Sequence, residues 1–473
     1  MIDTKPTTDV HAPTALSAPV EAPNGRRPLA DSRGTGRSHI GLVVVGSLLS
    51  GLIAAIVLVA GPVAGSQEHV ITGAVLLAFA FGWAMLAFLS TVWTNQPQRW
   101  AIAPSAFMAF FGAGLIVFSP DARALSVISW LWPLPVLALV VWIVFRARAA
   151  LHSHTRRWFL YPVLAVLGLA ALGGAYQTVG ASLDRSASAM PGQMIDVGGY
   201  RLYLHCTGSG SPTVILEAGA AESSAYWGWI APAVAAGTKV CVYDRAGRGF
   251  SEAAPAPQDA VAVATALHTL LSRAQVAGPY VLVGHSTGGP YVRTFAASYP
   301  DQVAGMVLLD SQPNTAFTKL PDYSSTYRII RPASALFAPL ARIGVFRLAS
   351  MSSYGSLPAD ARDLERATQS TAELQRGARD EFANMPAILK QASALTSLGD
   401  RPLVVVTAML GAQSGWLALQ DDMLSLSSNS SHRVLANAEH IALIEDQTYA
   451  ATASQAIQDV VTSVRNATPL AKR

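Results

Sequence analysis

Charged side chains are scarce in this 473-residue sequence: Asp, Glu, Lys and Arg make up 13% of it, and hydrophobic side chains make up 51%. About a quarter of an ordinary soluble domain is charged, so this scarcity argues against a wholly soluble protein. The formal net charge is +4, but the basic residues are scattered or flank apolar runs and form no basic face interleaved with aromatics. Nucleic acid is therefore not an expected partner, whereas a membrane is.

Patterns that bind cofactors are missing as well. The sequence contains no cluster of metal-ligating residues and no loop that would cradle a phosphate. The short motif Gly247-Arg248-Gly249 lacks the remaining glycines and the βαβ context of a dinucleotide site. We therefore expect no metal and no other cofactor.

Residues 1–38 are rich in Pro, Ala, Thr and Ser and have no apolar period, which predicts a disordered tail. The first apolar run starts too late, and too many runs follow it, for a cleaved secretory signal. Five apolar segments follow, at about 40–62, 70–94, 101–119, 125–145 and 158–178. Each is near the roughly 20 residues that a helix needs to cross the hydrocarbon core.

These five runs predict a membrane region at 39–179. Buried helices of a large soluble protein are the alternative, but such helices seldom come as successive runs almost free of charge. No ionisable residue lies in the middle of any run, which argues against a proton relay or an ion path. We interpret the region as an anchor in the bilayer.

Basic residues in alternate loops predict the orientation. They lie in the tail, after the second run and after the fourth run, at Arg26, Arg27, Arg33, Arg37, Arg99, Arg146, Arg148, Arg156 and Arg157. The intervening loops hold Glu68 in one case and Asp121 with Arg123 in the other. The positive-inside rule then places the N-terminus in the cytoplasm. With five crossings, everything after about residue 180 is expected outside the cytoplasm, on a multi-pass protein of the cell (plasma) membrane.

Residues 180–193 are small and polar and contain Pro and Gly, which predicts a linker. The hydrophobic pattern changes after this stretch. Apolar runs of strand length recur at 194–197, 200–206, 213–217, 239–244, 280–283, 303–309, 402–407 and 433–436. The later runs alternate with helical stretches. This alternation predicts an α/β domain at 194–473, with a mostly parallel sheet and helices on both faces.

The fifth strand leads directly into Gly284-His285-Ser286-Thr287-Gly288, and the residues that follow predict a helix. A strand, a sharp turn around Gly-x-Ser-x-Gly and a helix form the nucleophile elbow. The glycines leave room for a strained turn that exposes the serine Oγ above the sheet. Ser286 is therefore the candidate nucleophile, and an ordinary Gly-rich β-α turn is the alternative.

Four motifs together make residues 194 to about 466 resemble the α/β-hydrolase superfamily. They are the segments 217–220 after the third strand and 243–251 after the fourth, the elbow, and Ala438-Glu439-His440 near the end. The resemblance implies the chain order nucleophile, acid, histidine. Only His432 and His440 follow Ser286. His440, in the loop beyond the last strand, is the expected general base, whereas His432 opens that strand and is expected to be structural.

The acid departs from the common pattern of the family. The stretch after the seventh strand, 407–415, contains no carboxylate. Asp310, at the end of the sixth strand, stands at the alternative position that some members use, although a helix N-cap is also possible there. Asp421 and Asp422 are the next candidates, but they lie on a predicted helix at 416–426.

The resemblance also implies an oxyanion hole made by two backbone amides. It places them on Thr287, directly after the nucleophile, and on Ala220, after the third strand. The usual His-Gly pair of that loop is Ala218-Gly219 here, so support from an imidazole is lost.

Between Asp310 and the seventh strand lies a segment that the core fold does not require. It contains an apolar stretch at 329–348 and a charged amphipathic one at 359–390. We interpret it as an inserted helical cap at about 312–399 that roofs the substrate pocket. The family's strand order also puts Cys206 and Cys241 on neighbouring strands, where either a disulfide or two buried thiols is expected.

The expected function is that of a membrane-anchored serine hydrolase of carboxylic esters, with a small-molecule or lipid ester as substrate. Two other activities stay open on the same residues, namely acyl transfer and cleavage of amides or peptides. A serine nucleophile excludes the aspartate chemistry of dehalogenases and epoxide hydrolases of this fold. A transporter or scaffold with a non-catalytic hydrolase-like module is the alternative from another class of protein.

Overall fold

The structure of the protein, a computed structural model, describes residues 39–150, 160–187 and 190–471. Several predictions from the sequence lie outside these residues. They are the disordered tail at 1–38 with Arg26, Arg27, Arg33 and Arg37, and the basic pair Arg156 and Arg157.

Six helices make up the described N-terminal region: α1 (Ile40–Ala60), α2 (Glu68–Trp93), α3 (Ile102–Phe118), α4 (Ala122–Leu131), α5 (Pro133–Ala150) and α6 (Tyr161–Ala187). By length and composition, five helices are apolar enough to cross a membrane: α1, α2, α3 with its preceding turn, α5 and α6. Many of their large apolar side chains are exposed, for example Phe110, Phe118 and Leu134. The prediction of five apolar helices ahead of the α/β domain is confirmed.

The fourth predicted run, 125–145, is not one helix. It is divided between α4 and α5, and the fourth candidate span starts at Pro133. Asp121 caps the start of α4, where its Oδ1 accepts a hydrogen bond from the amide of Ala124 at 2.7 Å. A new helix begins at Pro133 because proline lacks the N–H that a helix interior requires but fits a first turn.

The predicted linker at 180–193 is also wrong in its first half, because α6 continues to Ala187. The last turns of α6 are held by the helical insertion of the α/β domain. Asp184 pairs with Arg347 at 2.5 Å. A side chain at Gly180 would lie 2.6 Å from the guanidinium carbon of Arg347, so glycine permits the close approach.

Eight strands form one sheet: β1 (Gln193–Asp196), β2 (Arg201–Thr207), β3 (Thr213–Glu217), β4 (Val240–Tyr243), β5 (Tyr280–His285), β6 (Val303–Leu309), β7 (Leu403–Leu410) and β8 (Ser430–Glu439). Their spatial order is β1-β2-β4-β3-β5-β6-β7-β8. The pairs β1–β2 and β2–β4 are antiparallel, and all the others are parallel. The predicted α/β class is confirmed.

The helices of the α/β domain are α7 (Ile230–Ala235), α8 (Ala260–Arg273), α9 (Gly288–Ser298), α10 (Ala316–Lys319), α11 (Pro321–Ala333), α12 (Phe337–Arg342), α13 (Val345–Ser350), α14 (Ala359–Gln369), α15 (Ala372–Ala392), α16 (Trp416–Asp422), α17 (Ala442–Glu445) and α18 (Gln447–Asn466). Helices α10 to α15 lie between β6 and β7, and we call them the cap helices. They occupy the segment that the sequence marks as an insertion.

The central strands are apolar throughout because both faces of a parallel sheet are covered by helices. Side chains alternate between the faces. Val283 and Val307 belong to the core beneath α7 and α18, and Leu282 and Leu308 belong to the core beneath α8 and α9. Cys206 and Cys241 are register partners on β2 and β4 and form a disulfide.

A buried ion cluster joins the apolar helices to the cap. The carboxylate of Glu68, on the first turn of α2, binds Arg342 of α12 and lies 2.8 Å from Arg376 of α15. On the next turn of α15, Arg379 donates to the carbonyl of Ser66 at 2.8 Å. Only 2% of Glu68 is exposed. The two regions are therefore joined by charge pairs as well as by the chain.

We predict that Glu68→Ala lowers the free energy of unfolding by about 3 kcal/mol, because it removes the buried carboxylate that pairs with the two partly buried arginines, Arg342 and Arg376. Asp422→Ala is the matched control. Asp422 pairs with Lys319 on the surface, and the loss of such a pair costs less than about 1 kcal/mol. Thermal unfolding of both purified variants in detergent measures the difference. Equal midpoints would show that the Glu68 cluster does not hold the two regions together.

Candidate active site

The turn between β5 and α9 is strained and tightly packed. Ser286 has φ +53°, a left-handed conformation that side chains other than glycine rarely adopt. A Cβ on Gly284 would lie 2.7 Å from the backbone of Gly288. A Cβ on Gly288 would lie 2.3 Å from the carbonyl oxygen of Glu217, and one on Gly289 would collide with Ser311. Glycine is therefore required at all three positions around Ser286.

Backbone hydrogen bonds tie Ser286 to the end of β6. Its amide donates to the carbonyl of Leu309 at 3.0 Å, and its carbonyl accepts from the amide of Gln312 at 2.9 Å. In the described part of the chain, Ser286 Oγ makes no hydrogen bond to another protein group. Catalytic hydrogen bonds often form only once substrate binds.

Asp310 and His440 are brought together. Asp310 follows β6 with φ +40° and is buried, and its Oδ2 lies 2.5 Å from His440 Nδ1. Its Oδ1 accepts hydrogen bonds from the indole of Trp416 at 2.7 Å and from the amide of Ala408 at 3.2 Å. The alternative role as a helix N-cap does not apply, because the next helix is preceded by Thr315. The carboxylate instead orients an imidazole.

His440 is about half exposed, so its remaining ring nitrogen has access to a substrate. A carboxylate at Nδ1 favours the tautomer with the proton on Nδ1, which leaves Nε2 free to accept one. The elbow is near, because the ring of His285 lies 4.8 Å from the ring of His440. Ser286 follows His285 directly.

The other candidates from the sequence form a separate pair. His432 Nδ1 lies 2.7 Å from Asp421, and its Nε2 lies 2.7 Å from the hydroxyl of Thr407. Both ring nitrogens are occupied, so no nitrogen is left to activate a serine. Asp422 pairs with Lys319 at the surface.

Glu222 is a residue of the site that sequence reasoning missed. Its two carboxylate oxygens lie 3.0 and 3.1 Å from His285 Nδ1, and one of them accepts the amide of Gly219 at 2.5 Å. His285 Nε2 faces the carbonyl of His440 at 3.2 Å. Both neighbours of the ring are acceptors, an arrangement that favours the doubly protonated ring of His285. Burial lowers the pKa of His285, but the charge of Glu222 and these hydrogen bonds outweigh burial and raise the pKa above its usual value.

The expected oxyanion donors lie on neighbouring segments. The close approach of Gly288 to Glu217 brings the loop after β3 against the start of α9. In the described chain, the amides of Ala220 and Thr287 donate to no protein group. Glu222 holds this loop through the amide of Gly219 and is itself paired with His285. The loop lacks the histidine of the usual His-Gly pair, because residue 218 is alanine.

The cap reaches the same loop through α14. Glu365 accepts a hydrogen bond from the hydroxyl of Ser223 at 2.5 Å, and Gln369 donates to the carbonyl of Ala221 at 2.5 Å. Burial raises the pKa of the Glu365 carboxyl to about 8, and the two hydrogen bonds from Ser223 and Gln369 oppose this only in part. The carboxyl is therefore largely neutral at pH 7.

This raised pKa predicts a pH-dependent stability. The folded state binds the proton of Glu365 more tightly than the unfolded chain does. The protonated carboxyl of Glu365 therefore makes its full contribution to the free energy of unfolding below the ordinary pKa of 4.5. This contribution is lost as the pH rises to about 8. Relative to the wild type, Glu365→Gln should gain more than about 1 kcal/mol between these limits, because the amide stays neutral.

Thermal unfolding across that pH range measures the gain. Asp360→Asn is the matched control, on an exposed position of the same helix, and should show no such trend. A difference between Glu365→Gln and the wild type that is constant with pH would contradict the raised pKa.

Comparison with known proteins gives relatives of partial length. The α/β-hydrolase fold model matches residues 212–447. An uncharacterised protein of Schizosaccharomyces pombe is 32% identical over 155 residues, which cover 26% of this chain and 29% of that protein. A Hormonema carpetanum protein named "probable transporter" is 29% identical over 136 residues, which cover 27% of this chain and 20% of that protein. This chain thus matches less than a third of the length of either relative.

A solved structure also has a fold similar to that of this chain. The crystal structure of the Cif epoxide hydrolase from Acinetobacter nosocomialis superposes with a TM-score of 0.50 and 14% identity, and covers 61% of this chain and 96% of its own. At this identity the match concerns the fold. The matching family model identifies the part of the chain from residue 212 to 447 as a member of the α/β-hydrolase family, and the strand order and the elbow agree with it.

Proposed function

We propose that the protein is a membrane-anchored serine hydrolase that cleaves carboxylic esters through an acyl-enzyme on Ser286. The observation that carries this proposal is the strained Ser286 at the end of β5, next to a buried Asp310 that orients His440. Strain of this kind in a tight turn is characteristic of functional positions. A serine, a carboxylate and an imidazole, in this chain order, are the residues with which this fold carries out acyl transfer.

In the proposed reaction, His440 Nε2 accepts the proton of Ser286 as its Oγ attacks the ester carbonyl. The resulting oxyanion is stabilised by the amides of Thr287 and Ala220. Collapse of the tetrahedral intermediate breaks the ester C–O bond, and His440 returns the proton to the leaving alcohol. Water then attacks the acyl-enzyme with the same assistance. Asp310 holds the imidazole and stabilises its positive form.

The cap supports an apolar or lipid-like acyl ester as substrate. Large apolar side chains of the cap are exposed, among them Ile329 at 71% and Leu348 at 60% on the cap helices, and Met351 at 60% directly after α13. Helix α11 of the cap contacts α1, one of the five apolar helices. Exposed apolar surface next to such helices suits a substrate that partitions into the bilayer.

Two alternatives use the same residues, namely acyl transfer to another acceptor and cleavage of amides or peptides. One observation supports a transporter or scaffold role instead, namely the similarity to a protein named as a probable transporter. The similarity covers a fifth of that protein, and the five apolar runs hold no ionisable residue in their middle. Enzyme activity is therefore the better supported proposal.

Hydrolysis of p-nitrophenyl esters of increasing chain length by the purified full chain tests this function. We expect Ser286→Ala, His440→Ala and Asp310→Asn each to lower kcat by about 10³-fold or more. His432→Ala and Asp421→Asn form the matched control, since they disrupt a histidine–aspartate pair of the same chemistry. Their kcat should stay within about threefold of the wild type. No hydrolysis of any ester or amide by the folded wild type would overturn the proposal.

We also propose that the hydrolase domain lies outside the cytoplasm and that the protein resides in the cell membrane. Basic residues in alternate loops and an odd number of candidate spans support this orientation. The disulfide between Cys206 and Cys241 supports it as well, because disulfides persist in oxidising compartments.

Labelling of cysteines tests the orientation. Lys390, on the cap, and Arg148, near the end of α5, are both exposed. A membrane-impermeant maleimide should label Lys390→Cys in intact cells and Arg148→Cys only after permeabilisation. The reverse pattern would place the hydrolase domain in the cytoplasm.

A further inference from the structure

A cluster of buried charges lies between the cap and the elbow. It consists of Glu217, Arg245, Arg248 and Glu381, and we call it the brace. Each of the four side chains is at most 7% exposed. Three of the residues belong to β3 or to the loop after β4, whereas Glu381 belongs to the cap helix α15. The brace thus joins the cap to the sheet.

Arg245 holds the loop that carries Ala220. Its Nη1 donates to the carbonyl of Ala218 at 2.5 Å, and its Nη2 donates to the carbonyl of Gly219 at 2.6 Å. The peptide group of Gly219 and Ala220 contains that second carbonyl, so the guanidinium sets the orientation of the Ala220 amide. Glu217 binds the same guanidinium at 2.5 Å.

Glu381 holds the other donor segment. Its Oε1 accepts hydrogen bonds from the hydroxyl of Thr287 at 2.8 Å and from Arg245 Nη2 at 3.3 Å. Its Oε2 accepts from Arg248. Tyr291, one turn along α9, donates to Oε1 at 3.2 Å. One carboxylate therefore contacts the residue after Ser286 directly and reaches the Ala220 loop through Arg245.

The distance between two oxyanion donors matters, because they stabilise the transition state only when both point at the developing charge. Thr287 and Ala220 come from different segments of the chain, and the brace connects them. Buried ion pairs add little stability compared with apolar residues of similar size. The presence of these buried charges is therefore better explained by the positions that they impose on the two amides than by a gain in stability.

We propose that Glu381 is a positioning residue: from the cap helix α15 it sets the relative placement of the Thr287 and Ala220 amides, so the oxyanion hole is complete only when the cap is docked. This inference rests on the proposed acyl-transfer function. Glu381 does not touch the reacting atoms. It acts through the hydroxyl of Thr287 and through Arg245.

The test compares Glu381→Ala and Glu381→Gln in the full chain, with a p-nitrophenyl ester as substrate. The loss of one oxyanion donor costs about 10²–10³-fold in kcat, and Glu381→Ala should approach the lower of these values with KM changed by less than about threefold. Glu381→Gln should lose less, because its amide oxygen can still accept the hydrogen bond from Thr287. Lys319→Ala, on an exposed surface pair of the cap, should match the wild type.

A second readout separates positioning from a general structural defect. A trifluoromethyl ketone forms a tetrahedral adduct with the serine and places an oxyanion in the hole. Its inhibition constant should rise in Glu381→Ala by the same factor by which kcat/KM falls.

Thr287→Val removes the hydroxyl that binds Glu381 but keeps the amide. Glu381→Gln weakens the hydrogen bond that Thr287→Val removes, so the two changes combined should cost less than the sum of the separate losses. This double variant keeps the inference testable even where Glu381→Ala fails to fold.

Several results would overturn the inference while leaving the ester hydrolase proposal intact. They are a wild-type kcat in Glu381→Ala, a loss confined to KM, an inhibition constant that does not follow kcat/KM, or additive losses in the double variant. A folded wild type that neither turns over esters nor binds the ketone would instead remove the proposed function, and this inference with it.

Discussion

The backbone conformation of Ser286 is the constraint on which the rest of the site depends. Ser286 is held at positive φ because the glycines on both sides of it allow close packing of the start of α9, the end of β3 and the residues after β6. Gly288 admits the end of β3, and Gly289 admits the residues after β6. The turn thereby determines where the Ala220 loop and Asp310 lie, and Asp310 in turn determines the position of His440.

Helix α15 connects this site to the apolar helices. Arg376 and Arg379 contact Glu68 and Ser66 at the start of α2, and Glu381, less than one turn further along, contacts Thr287. Charged side chains of this one cap helix thus make polar contacts with both regions. Helix α15 thus contacts both the apolar region and the sheet domain, so the five-helix region is a structural neighbour of the hydrolase and more than a tether.

The parts of the structure that depend on local patterns could be predicted from the sequence. Apolar runs of the right length gave five candidate spans and eight strands, and Gly-x-Ser-x-Gly gave the elbow. The break at Pro133 and the continuation of α6 to Ala187 were not predicted, because hydropathy averages over a proline and tertiary contacts order a polar segment. The contacts of Glu222 with His285 and of Arg245 with Glu381 join residues far apart in the chain, and such pairs leave no local pattern.

The proposed hydrolase activity depends on Ser286 as the nucleophile. The most direct measurement treats native membranes that contain the full chain with a fluorophosphonate and identifies the modified peptide by mass spectrometry. We predict an adduct on Ser286 that forms far more slowly in His440→Ala, because the imidazole activates the serine. An adduct on another residue, or none on a folded wild type, would contradict it.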